Sequence, residues 1–209
     1  MSTNKYTKII FLLFFLSGLA ALVYEVAWVK KLGLIFGTTT YAVSSVLAVF
    51  FAGLALGSFL FGRLVDKYKK PLFIYALLEL GIGIYAFLTP QIFGLIKALQ
   101  ISFWQATNPN YWGFSLFTLV LSVVFLIIPT TLMGGTLPVL AKFFVTKKEI
   151  LGEKVGILYS INTAGAILGV FLAGFFLIAT LGVNESIYFA GIVNVLIGFV
   201  VFMLNRKLE

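Results

Sequence analysis

Three features of the 209-residue chain predict an all-α integral membrane fold of six transmembrane helices. The chain is 61% hydrophobic and only 11% charged, with a mean hydropathy of +1.11, whereas a soluble domain averages about 25% charged residues. Six apolar runs take up nearly the whole sequence, and each approaches the roughly 20 residues that a bilayer crossing needs. The charged residues gather in the short segments between those runs.

Helix 1 is expected over 8–29, after a polar tip with Lys5 and Lys8. This run lacks a small-x-small cleavage site and continues into Tyr24-Glu25-Val26-Ala27-Trp28, so a retained helix is expected rather than a signal peptide. Either Lys30 to Thr40 form the first loop, or helix 1 runs on to Phe36 and the loop is Gly37 to Thr40; helix 2 follows over 40–62. The next stretch sets Arg63, Asp66, Lys67, Lys69 and Lys70 between two apolar runs and reads as an aqueous loop. Helix 3 is expected over 71–89, ended by Pro90. The run 92–104 is amphipathic, and with Trp104, Tyr111 and Trp112 beside it an interfacial helix is expected there. Helix 4, over 112–144, contains Pro129, Gly134, Gly135 and Pro138, which predict a kinked or partly unwound span. A charged loop at 146–154 precedes helix 5, over 155–181. Gly182 reads as a helix stop and Asn184 as the N-cap of helix 6, over 184–204. One domain, 1–209, accounts for the chain, and no soluble domain remains.

Of the 15 lysines and arginines, only Lys30, Lys31 and Lys97 fall on the side opposite the expected N-terminus. The other twelve are Lys5, Lys8, Arg63, Lys67, Lys69, Lys70, Lys142, Lys147, Lys148, Lys154, Arg206 and Lys207. By the positive-inside rule both termini are expected in the cytoplasm, in a multi-pass protein of the cell membrane. The net charge of +8 is accounted for by these flanks, and nothing in the pattern suggests a nucleic-acid partner. The chain has no cysteine and no histidine. Thiol chemistry, disulfides, Cys/His metal sites and imidazole relays are therefore not available. No phosphate-binding loop, serine nucleophile motif or metal-ligand cluster is present, so neither an enzyme nor a cofactor is expected.

Ionisable residues inside the hydrocarbon core are functional candidates by default. Glu25 in helix 1 and Glu79 in helix 3 are the two clear ones. Gly18, Ala21, Glu25 and Trp28 share one face of helix 1. The functional reading gives Glu25 and Glu79, with Tyr24 and Trp28, a cationic solute, a proton or a sodium ion to bind. The structural reading has each glutamate protonated or paired, with Lys30 or Lys31 for instance, and fixing helix packing only. Thr130 and Thr131 at the expected kink of helix 4, and Asn162 in helix 5, could join the site or make interhelical hydrogen bonds only. Gly57, Gly165 and Gly169 have small-xxx-small spacing, a signal of close helix packing first.

Two resemblances meet in these residues. Gly62-Arg63-Leu64-Val65-Asp66-Lys67 resembles the loop between helices 2 and 3 of major facilitator superfamily transporters. The stretches 21–28, 36–42, 78–80, 132–138 and 156–165 together resemble the membrane region of the spermidine-synthase-like membrane proteins of bacteria and archaea. That region is a facilitator-like helical segment often fused to an aminopropyltransferase-like domain, which this chain does not contain. Helix 4 also lacks the arginine that many proton-coupled facilitators place there. The resemblance implies half of a major-facilitator-type fold and a half-size secondary transporter of a small cationic solute such as a polyamine. It further implies a homodimer that alternates its access. Gly62, Arg63, Asp66 and Lys67 would form the conformational-switch loop, with Asp66 near the start of a partner's helix 5. Gly57 would pack against the partner's Gly165 and Gly169. The alternative is a non-transporting membrane anchor for a separate soluble enzyme.

Overall fold

The computed structural model describes residues 2–36, 40–68, 70–144 and 151–208. Six long helices follow one another: α1 (Ser2–Phe36), α2 (Thr40–Lys67), α3 (Pro71–Thr107), α4 (Tyr111–Phe144), α5 (Leu151–Leu172) and α6 (Val183–Leu208). Helix α5 continues through a π-helical stretch, Ala173–Leu177, into Ile178–Thr180. Each of the six contains a run long and apolar enough to cross a membrane, as the composition predicts. Residues 37–39 of the expected first loop, residues 146–150 of the charged loop, and Lys69 lie outside the described residues, and 151–154 belong to α5.

The helix ends differ from the sequence reading, each for an identifiable reason. Helix α2 runs on to Lys67, so Arg63, Asp66 and Lys67 belong to its last turns and not to a loop. The charges cap a helix leaving the membrane: Arg63 lies 4.0 Å over the Phe59 ring one turn back, and Val65 stays buried. Pro90 does not end helix 3, and the expected interfacial helix 92–104 is the continuation of α3 itself. A proline removes one backbone hydrogen bond and crowds the preceding turn. The acceptor that Pro90 frees is the Ala86 carbonyl, and side chains serve carbonyls on either side of it: Thr89 Oγ1 donates to the Tyr85 carbonyl at 3.1 Å, and the Gln91 amide, nitrogen inward, reaches the carbonyls of Phe87 and Leu88 at 3.0 Å.

Helix α4 is continuous through Pro129 and Pro138, not unwound. Pro129 has no N–H for the carbonyl of Phe125 one turn earlier, and the Tyr85 hydroxyl of α3 donates to that carbonyl at 2.7 Å instead. A neighbouring helix thus satisfies the freed acceptor, as the lipid interior demands. The π-helical departure from regular geometry occurs in α5. Gly182 takes φ +97 at the α5–α6 turn, the left-handed conformation expected of a glycine stop. Asn184 is not the N-cap, because α6 already begins at Val183.

The main helix pairs are α2 with α4, α3 with α6, α1 with α5, α3 with α4, and α1 with α6. Helices α2 and α4 run parallel: Gly53 meets Thr130, Gly57 meets Thr131, and Asp66 pairs with Lys142 further along both. Helices α3 and α6 run antiparallel, with Gly83 against Gly191 and Gly198 against Ala76. The glycines predicted to serve a dimer interface act within one chain. A Cβ on Gly57 would strike the Thr131 carbonyl, and Cβ atoms on Gly165 and Gly169 would strike the carbonyls of Phe15 and Leu19. Close backbone approach of α2 to α4 and of α5 to α1 therefore depends on them.

Candidate functional site

The apolar interior is split in two. One cluster includes Val23, Tyr24, Trp28, Phe50, Ile82, Phe93 and Phe125; the other includes Ile10, Phe14, Leu72, Tyr75, Val139, Ile197 and Val201. Between them lies a polar layer, in which Ser17, Glu79, Thr136 and Asn194 are all buried. The helix periodicity places them there: Ser17 falls one turn after Phe14, Glu79 one turn after Tyr75, and Asn194 one turn before Ile197. Glu79 lies eight residues into α3, about 12 Å along its axis, which is near the middle of a roughly 30 Å hydrocarbon core.

Glu79 has no solvent exposure. Its Oε1 accepts a hydrogen bond from Ser17 Oγ at 2.6 Å, and its Oε2 accepts one from Asn194 Nδ2 at 2.5 Å. The Tyr24 hydroxyl donates to Asn194 Oδ1 at 2.8 Å and so orients the amide. The buried Tyr75 hydroxyl lies beside the carboxylate without a directed hydrogen bond to any described group. The chain Tyr24–Asn194–Glu79–Ser17 ties α1, α3 and α6 together, and among the described residues no cation pairs with the carboxylate. A cavity of about 80 Å³ adjoins this network. Every helix contributes to its wall: Ser17, Leu54, Ile82, Thr136, Asn162 and Asn194 are one lining residue from each. It is large enough for a few waters and has polar groups to hold them.

Of the candidates read from sequence, Glu79 and Tyr24 are joined by hydrogen bonds through Asn194, and Asn162 lines the cavity, where its Nδ2 also donates to the Phe14 carbonyl at 3.1 Å. Trp28 stacks on Tyr24 at 5.3 Å between centroids, and its buried indole N–H has no partner among the described residues. Glu25 is half-buried and stands outside the network. It makes no ion pair or hydrogen bond with Lys30 or Lys31 among the described residues; Lys31 instead lies 4.7 Å over the Phe93 ring. Thr130 does not reach the site, because its hydroxyl donates to the Leu126 carbonyl of its own helix at 2.6 Å. Thr131 presents its carbonyl to Gly57. Asp66 is paired within the chain, accepting from Lys142 Nζ at 2.8 Å.

Ser17 and Asn194 are missing from the sequence reading. Asn194 carried a signal, an amide in the middle of an otherwise apolar span, where polar groups act as glue between helices. Ser17 could have been found by extending the aromatic face of α1 backward, since Phe14, Ser17, Tyr24 and Trp28 recur at helical spacing. Comparison of the chain with protein-family models, with curated proteins and with solved structures finds no match.

Proposed function

We propose that the protein is a half-size, facilitator-like secondary transporter in which Glu79 takes up and releases a proton as access to the bundle centre alternates. The observation that carries this reading is a wholly buried carboxylate at mid-membrane depth with hydrogen-bond donors but no described cationic partner. An ionised group there costs at least about 2.5–3.5 kcal/mol on insertion scales. An amide or hydroxyl would tie the helices together with less penalty.

The donor set suits a proton better than a metal cation, which would face the N–H groups of Asn194. With Glu79 ionised, Asn194 donates to the carboxylate and Tyr24 donates to Asn194. With Glu79 protonated, rotation of the Asn194 amide reverses the chain: the acid O–H donates to Oδ1, and Nδ2 donates to the Tyr24 oxygen. Both protonation states use the same heavy-atom positions. A homodimer remains part of the reading. It is supported by α2 and α5 being the least buried of the six spans, with Phe51 and Phe175 exposed on them.

The small size of the central cavity favours a second reading, a non-transporting membrane subunit that docks a soluble enzyme. Proteoliposomes enclosing a pH-sensitive dye separate the two. An imposed pH gradient should drive proton flux through the wild type. Glu79→Gln should lower that flux on the order of a hundredfold, the scale of losing a positioned proton carrier, while Glu25→Gln should leave it unchanged. Absence of flux from folded wild-type protein would favour the docking subunit.

A further inference from the structure

A second cavity, about 540 Å³, lies away from the polar layer, between the end of α1, the extension of α3 and the start of α4. Its floor is one face of α3, on which Pro90, Gly94, Lys97 and Trp104 recur at helical spacing. Lys31 of α1 and Phe114 of α4 form the sides. The two lysines bring positive charge, and no acidic residue lines the cavity. Glu185 is near enough for its field to reach Lys31 but makes no ion pair with it among the described residues.

The cavity also lies at a particular level. Helix α3 has 37 residues, about 55 Å, well beyond the roughly 30 Å hydrocarbon core. Its later turns pack antiparallel on α4 through Phe103 on Phe117, 4.0 Å between centroids, and Gln100 on Thr118, 2.9 Å. Tyr111 and Trp112, exposed at the start of α4, are residues that favour the headgroup region. A mainly apolar cavity with two ammonium groups at that level matches a molecule with an anionic head and an apolar tail.

We propose that this cavity binds the anionic headgroup of a bilayer phospholipid, with Lys31 and Lys97 holding the phosphate and Trp104 and Phe114 flanking the upper part of the acyl chains. The test is native mass spectrometry of purified protein exchanged into vesicles of equal parts phosphatidylglycerol and phosphatidylcholine. Retention of phosphatidylglycerol is expected over phosphatidylcholine, falling about fivefold for each of Lys31→Gln and Lys97→Gln, the usual worth of one lysine at an anionic surface.

Gly94→Leu provides the decisive variant. A Cβ at Gly94 meets nothing within 4 Å, and replacing a helical glycine favours the helix, so the side chain should fill the cavity of a folded protein and abolish retention. Lys97→Glu, at an exposed position, provides a second variant with no demand on folding and should have the same effect. Equal retention of the two lipids, or unchanged retention in folded Gly94→Leu and Lys97→Glu, would overturn the proposal. A thermal shift with inorganic phosphate that phosphatidylglycerol vesicles do not reproduce would overturn the lipid as its occupant.

Discussion

Removing one partner of Glu79 leaves a buried acceptor with nothing to accept from, and the penalty for that exceeds the value of the bond itself. Asn194→Ala should therefore destabilise the protein by about 1–3 kcal/mol, seen as a lower apparent Tm in detergent. Tyr24→Phe leaves the buried Asn194 Oδ1 without its donor and should likewise cost about 1–3 kcal/mol. Additive costs in the double variant Tyr24→Phe/Asn194→Ala would mean that Tyr24 does not act through Asn194. At this scale the sequence was legible for Glu79, because a carboxylate in an apolar span is conspicuous. It put Glu25 ahead of Glu79, because two acids in apolar helices look alike until the face of each helix is known. The face of α1 that turns inward is the one bearing Ser17, Tyr24 and Trp28, and Glu25 lies beside it.

Within the helices, prolines and glycines act through what the neighbouring helix supplies. Tyr85 donates to the carbonyl that Pro129 leaves without an N–H, so Tyr85→Phe should cost about 1–3 kcal/mol. Pro129→Ala restores the missing amide, and in that background Tyr85→Phe should cost much less. Additive effects in this double-mutant cycle would show that the hydroxyl is not replacing the amide. Gly165→Ala should push α5 away from α1 and lower stability by about 1–3 kcal/mol, the usual cost of overpacking, whereas Gly94→Ala should be neutral or stabilising. Small-xxx-small spacing made close packing legible in the sequence but not which helix is met. Helix 4 does not unwind for a related reason: a proline's effect depends on donors elsewhere in the chain, and Tyr85 lies 40 residues earlier than the carbonyl it serves.

For the molecule as a whole, composition alone made six spans legible, because the lipid interior permits few alternatives to apolar helices. The polar layer between two apolar clusters was not legible, since it arises where separate helices meet. Orientation can be checked cleanly because the chain has no cysteine. In intact cells a membrane-impermeant maleimide should label Thr107→Cys, and Tyr68→Cys only after permeabilisation; the reverse pattern would contradict the lysine and arginine bias. Whether the bundle exchanges a proton at its centre is read by infrared difference spectroscopy of the reconstituted protein against pH. A carbonyl band from a protonated, buried carboxylic acid should appear as pH falls in wild type and in Glu25→Gln, and should be absent from Glu79→Gln. A titrating band that survives in Glu79→Gln, or no titrating band in folded wild type, would contradict a proton at Glu79.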